Sequence, residues 1–132
     1  MTMSELRRVI VGISGASGAV YARRMVNCLL AGDVEVHLVV TPHGRRLFAV
    51  ELGLDVDRDA FAIDNPDRLI VHSYRDVGAV IASGSFMTGG MVVCPCSSNT
   101  LASIAAGLAG NLLDRAAAVT LKEMRRLVPL TR

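Results

Sequence analysis

Aromatic residues are scarce in this 132-residue chain, at 4% with no tryptophan. A core must therefore be built from Val, Leu, Ile, Ala and Met. Long apolar runs are missing too: nothing approaches the ~18 to 20 uninterrupted residues of a spanning helix. The N-terminus, with Glu5, Arg7 and Arg8 ahead of a glycine-broken run, lacks the continuous apolar stretch of a secretory signal, which implies a cytoplasmic protein. Charge of one sign is lacking as well, since 14 Lys and Arg face 12 Asp and Glu for a formal +2. Nucleic acid is thus not an expected partner, and the pairs Arg7/Arg8, Arg23/Arg24, Arg45/Arg46 and Arg125/Arg126 read as solvated helix faces. Three cysteines, an odd count without an export signal, argue against disulfides. Cys94-Pro95-Cys96 has no second pair to complete a zinc site, so no metal is expected and both thiols read as small buried residues. What the chain does have is 52% hydrophobic content and a mean hydropathy of +0.44, which fits a globular domain with extensive subunit contacts. Its length suits one domain, spanning 1–132.

The most informative segment is Val9 to Gly18, where a short apolar run enters glycines at every third position, Gly12, Gly15 and Gly18. Glycines allow a sharp turn and close approach to a ligand, and the first turn of a following helix presents unpaired N–H groups to an anion. Ser14 and Ser17 add hydroxyls. The spacing is not the G-x-G-x-x-G of a dinucleotide site, and no Gly-Lys-Ser/Thr closes it as a P-loop. The next apolar run ends in Val40-Thr41-Pro42, without the acid that takes ribose hydroxyls in a dinucleotide fold. Two readings stay open: a mononucleotide or similar anion site, and a purely structural strand-to-helix turn.

Periodicity supplies the rest of the frame. Ala22, Met25, Val26, Leu29 and Leu30 recur at helical spacing until Gly32-Asp33, and Val34 to Val40 reads as a strand of a buried parallel sheet with His37 on its polar side. Thr41 as N-cap and Pro42 at the first position begin a helix to Gly53. Residues 55–67, rich in acids, read as a surface connection; Leu69 to His72 reads as a short strand and Val77 to Ala82 as a short helix. Met91 to Pro95 is a buried strand that feeds a helix through Ser97-Ser98-Asn99-Thr100, a final helix follows Asn111, and Leu127 to Thr131 looks like another strand. Alternating β and α elements predict a doubly wound α/β sheet with ligands at the carboxyl ends of its strands. A last strand without a covering helix makes the fold read as C-terminally incomplete.

The motifs Gly12-Ile-Ser-Gly-Ala-Ser-Gly18, Ser83-Gly-Ser-Phe86, Gly90-Met-Val-Val-Cys-Pro-Cys-Ser-Ser-Asn-Thr-Leu101, Asn111-Leu-Leu-Asp-Arg-Ala-Ala117 and Leu121-Lys-Glu123 occur in one order along nearly the whole chain. Together they strongly resemble the UbiX/Pad1 flavin prenyltransferase family. That resemblance implies a Rossmann-like flavoprotein domain that attaches a dimethylallyl group, from dimethylallyl phosphate, to reduced FMN. The new bond joins the prenyl carbon to flavin N5, followed by ring closure at C6, and the prenylated flavin serves a UbiD-type decarboxylase. It further implies FMN contacts from Gly15, Ala16, Ser17, Thr41, Ser97, Ser98, Asn99, Thr100 and Arg132. Ser17 and Glu51 would handle protons and positioning, Arg115 and Lys122 would hold the donor phosphate, and the assembly would be a homo-oligomer, a dodecamer with sites between subunits. No metal is implied. Cations without a metal suit a departing phosphate. The chain stops at the arginine of the family's Arg-Glu-Thr-Pro segment, without the following glutamate or the later tyrosine and basic residues.

Two other readings compete. Pro95-Cys-Ser-Ser-Asn-Thr100 also resembles the Pro-x-Ser-Ala-Asn-Thr motif of flavin-dependent cysteine decarboxylases, which need a histidine beside the flavin; His43 and His72 are the available ones. An FMN-binding subunit without activity of its own is the third.

Overall fold

The computed structural model describes residues 2–61, 64 and 66–131. Strands β1 (Arg8–Ile13), β2 (Glu35–Val40), β3 (Leu69–His72), β4 (Gly90–Cys96) and β5 (Arg126–Thr131) form one sheet in the order β3-β2-β1-β4-β5. Every pairing is parallel. The helices are α1 (Met3–Leu6), α2 (Ala19–Ala31), α3 (Pro42–Leu52), α4 (Ser98–Ala105) and α5 (Leu112–Lys122), with single 3₁₀ turns at Arg58–Ala60, Pro66–Arg68 and Val80–Ala82. The doubly wound α/β expectation is met.

A sheet buried on both faces explains the near-continuous apolar strands. On one face α2 and α3 pack Ala22, Val26 and Phe48 against Val11, Ile13 and Leu38. On the other, α5 packs Leu112, Leu113, Ala116 and Ala117 against Ile10, Val39, Met91 and Val93, with Ile104 of α4 beside them. Close packing requires the glycine at position 44 of α3, where a Cβ would lie 2.6 Å from the Ile13 carbonyl oxygen.

The structure corrects several local expectations. His37 is 4% exposed and not a surface residue. Its Nε2 lies 3.0 Å from Glu35 Oε2, and Arg8 Nε donates to the same oxygen at 3.1 Å. An ionised carboxylate only accepts, so His37 Nε2 carries the proton; when both rings are neutral, His37 Nδ1 then accepts from His72 Nε2 at 2.9 Å. The stretch between α3 and β3 is more than a surface connection, because Val56, Ala60 and Phe61 are buried in the α2/α3 core. The helix expected over Val77 to Ala82 shrinks to the 3₁₀ turn, and α1 was not foreseen.

On the α2 side, the edge strand β5 lies largely exposed. Tyr21, Met25, Cys28 and Leu29 of α2 face Cys94, Pro95, Leu130 and Thr131 across an apolar groove of about 600 Å³. Val128 and Leu130 of β5 remain 36% and 41% exposed.

Candidate functional site at the strand carboxyl ends

From β1 the chain winds outward through β2 to β3; from β4 it winds the opposite way to β5. Ligands of open parallel sheets sit where the winding reverses, outside the strand carboxyl ends. There the structure has a cleft of about 550 Å³. Its walls come from Gly15 after β1, Thr41, Pro42 and His43 after β2, Tyr74 after β3, Ser97 to Thr100 after β4, Ser103 of α4, and Asn111 and Asp114 at the start of α5.

Three helix N-termini converge on this cleft. Thr41 caps α3 by accepting from Gly44 N at 3.0 Å, with Pro42 in the first turn. Ser97 caps α4, its Oγ accepting from Thr100 N at 3.2 Å and donating to Thr100 Oγ1 at 3.1 Å. Asn111 caps α5, its Oδ1 accepting from Asp114 N at 2.9 Å. Each helix start carries partial positive charge, so the combined field favours an anion among hydroxyl donors.

The glycine loop works differently from its sequence reading. Gly18, at φ 124 where side chains are strained, precedes α2 and gives it no side-chain cap. Glu51 of α3 supplies one: its Oε1 accepts from Gly18 N at 3.1 Å and Ala19 N at 2.9 Å. The first-turn amides expected to meet a ligand anion are thus already paired with an internal carboxylate. Ser14 is also committed, its Oγ donating to Pro95 O at 2.9 Å and accepting from Ser97 N at 2.8 Å. That hydroxyl ties the end of β1 to the end of β4 and is not a ligand donor. Ala16 N donates to Ser14 O at 3.0 Å.

Of the residues singled out by sequence, Gly15, Thr41, Ser97, Ser98, Asn99 and Thr100 share the cleft wall. Ala16 and Ser17 lie in the loop outside that lining, Ser17 exposed and directly before the amides held by Glu51. Arg115 and Lys122 do not reach the cleft; both are exposed on α5, roughly 10 Å apart along its axis. Arg132 lies outside the described residues. The Ser83–Phe86 motif sits at the other end of the sheet, where Arg125 donates to Gly84 O at 2.8 Å and Phe86 O at 3.0 Å and Arg8 lies 4.8 Å over the Phe86 ring. Of the two histidines open to a decarboxylase, His43 lines the cleft and His72 turns Nε2 towards His37.

Sequence reasoning missed Tyr74, Ser103 and Asp114 as cleft residues. Asp114 had a signal, the Asn111-x-x-Asp spacing of a helix start. Burial raises its pKa, opposed by hydrogen bonds from Asn111 and Ser103. Burial and then the Asp114 charge raise the pKa of Tyr74 and of Cys96. Cys94 and Cys96 are both buried, and Cys94 is likewise raised by burial, so neither is poised as a thiolate nucleophile. Among the described residues no His, Cys, Asp and Glu group has metal-binding geometry, and no helix is long and apolar enough to cross a membrane.

A cleft at the winding reversal of a doubly wound parallel sheet defines a class, and the sequence profile of the Flavoprotein family matches residues 1–130. The chain belongs to that family. Within it the relatives are flavin prenyltransferases of the UbiX group: that of Deinococcus radiodurans is 46% identical over 125 residues, 95% of this chain and 62% of its own length. A crystal structure of AnUbiX (PadA1) in complex with FMN and dimethylallyl pyrophosphate superposes with a TM-score of 0.87 at 37% identity, covering 96% of this chain and 64% of that one. A dodecameric FMN-dependent UbiX-like decarboxylase from Escherichia coli O157:H7 gives 0.85 at 41% identity, covering 95% and 66%. The chain therefore spans less than two thirds of the Deinococcus and AnUbiX proteins.

Proposed function

We propose that this chain binds FMN in the cleft and serves the transfer of a dimethylallyl group from dimethylallyl phosphate to the reduced flavin. The observation that carries the reading is the convergence of the α3, α4 and α5 N-termini at the winding reversal, with Thr41, Ser97 and Thr100 hydroxyls beside them. That donor set suits one phosphate and a hydroxylated chain. The lack of an acid after β2 fits a ligand without a second ribose.

Reduced FMN, when bound, supplies the nucleophilic nitrogen. The protein's contribution is orientation and charge control. Thr41 and Ser97 to Thr100 fix the phosphate end, and the Gly15 backbone lets the ligand approach the loop. Glu51, anchored by the Gly18 and Ala19 amides, holds a carboxylate beside Ser17, and this pair positions the donor and handles protons. Arg115 and Lys122 lie outside the lining of their own cleft; in a homo-oligomer with sites between subunits they offset the departing phosphate charge at a neighbouring copy's cleft. A dodecameric assembly, a UbiD-type decarboxylase as recipient of the product and a cytoplasmic location belong to the same reading.

One observation favours a second reading, FMN binding without turnover by the lone chain: neither cation is part of the cleft wall. Incubating the protein with reduced FMN and dimethylallyl phosphate and weighing the flavin decides between them. A mass increase of one prenyl group supports transfer, unmodified bound FMN supports the second reading, and no bound flavin removes both. Glu51→Gln retains a side-chain oxygen for the two amides while losing the charge, so it is expected to keep FMN and lose most prenylation. Unchanged turnover in that variant would remove Glu51 from the chemistry.

A further inference from the structure

The cleft is electrostatically lopsided. The first turns of α3 and α4 carry no acid, whereas the first turn of α5 carries Asp114. Asp114 is 6% exposed, yet it forms part of the cleft wall together with Tyr74, Ser103 and Asn111. Its carboxylate is not needed to cap the helix, because Asn111 Oδ1 already accepts from Asp114 N at 2.9 Å. One carboxylate oxygen, Oδ2, takes the Asn111 Nδ2 donor at 3.1 Å. Burial opposes its ionisation more than the Asn111 and Ser103 hydrogen bonds favour it. A neutral polar residue at this position would fill the wall without that desolvation cost. An ionised carboxyl accepts hydrogen bonds and donates none, so it selects hydroxyl or N–H donors and repels phosphate.

We propose that Asp114 fixes which way round a mononucleotide lies in the cleft. Its carboxylate accepts from the hydroxyls of the sugar-alcohol chain at the α5 wall and keeps the phosphate at the wall made by the α3 and α4 N-termini. This rests on the reading that the cleft takes FMN.

The test compares binding of FMN and of riboflavin, which has the same hydroxyls and no phosphate, to the wild-type chain, Asp114→Ala and Asp114→Asn, by quenching of flavin fluorescence. In Asp114→Ala, riboflavin is expected to weaken about tenfold through loss of a charged acceptor. FMN weakens less, because the same change removes repulsion of its phosphate, so the preference for FMN over riboflavin rises by about threefold or more in both variants. Inorganic phosphate should also compete better against FMN in both. A residue serving only the helix start would shift both flavins together and leave the preference unchanged; that result, in variants with cooperative thermal melts, overturns the proposal. Should the alanine variant not fold, the near-isosteric Asp114→Asn carries the comparison through the preference and the phosphate competition. A wild-type chain that binds neither flavin overturns the FMN reading itself, and this inference with it.

Discussion

Glu35, His37 and His72 illustrate how one acid sets the protonation pattern of its neighbours. Glu35 fixes the His37 proton on Nε2, which leaves Nδ1 to accept from His72, and burial followed by the His37 charge holds the His72 pKa below its ordinary 6.5 while Asp76 opposes them. In the unfolded chain His72 therefore takes up its proton at higher pH than in the folded one. Stability should fall as pH drops through about 6.5 and level off once the folded His72 is protonated. The effect grows by about 1.4 kcal/mol for each tenfold difference in proton affinity between the two states. His72→Gln keeps a donor for His37 and removes the titration, so urea unfolding at about pH 5 and pH 7 should differ less than in the wild type. An equal pH difference in both proteins would rule His72 out as the source. Nothing in the sequence announced this cluster. His37 stands in a run that alternates before turning wholly apolar, and only the pairing of β2 with β3 brings His72 alongside.

At the scale of elements, the site depends on how closely α3 lies on β1. Gly44→Ala would drive a Cβ to within 2.6 Å of the Ile13 carbonyl oxygen and 3.0 Å of its carbon, both backbone atoms that cannot swing aside. The helix must retreat, at a cost of about 1 to 3 kcal/mol, and the Thr41 cap retreats with it. A clear drop in the urea midpoint accompanied by weaker FMN binding is expected; an unchanged midpoint would contradict the packing argument. Strand and helix starts were legible because their signals are local: Thr41-Pro42, Ser97 and the apolar runs each carry their meaning within a few residues. The walls of the cleft were legible at Gly15, Thr41 and Ser97 to Thr100, where a glycine turn or a helix start marks the strand end. Tyr74 and Asp114 escaped notice because their place depends on which helix stands beside which strand, and the Gly18 and Ala19 amides were misread because their partner lies on α3.

For the molecule as a whole, the exposed edge strand β5 and the apolar groove between it and α2 form the conspicuous surface. Exposed apolar strand edges invite pairing with other chains. The protein should self-associate with rising concentration, and Leu130→Lys, on a side chain 41% exposed, should lower the apparent mass in light scattering while leaving the thermal melt in place. An unaltered mass would place the contact elsewhere. The carboxylate of Glu51 acts in the opposite sense, as an inward tie between α2 and α3. Because Glu51 satisfies the start of α2 without any ligand, the glycine loop is already pinned at its α2 end. If the cleft takes FMN as proposed, ordering that end of the loop adds little to the cost of binding, and selectivity falls to the walls facing it.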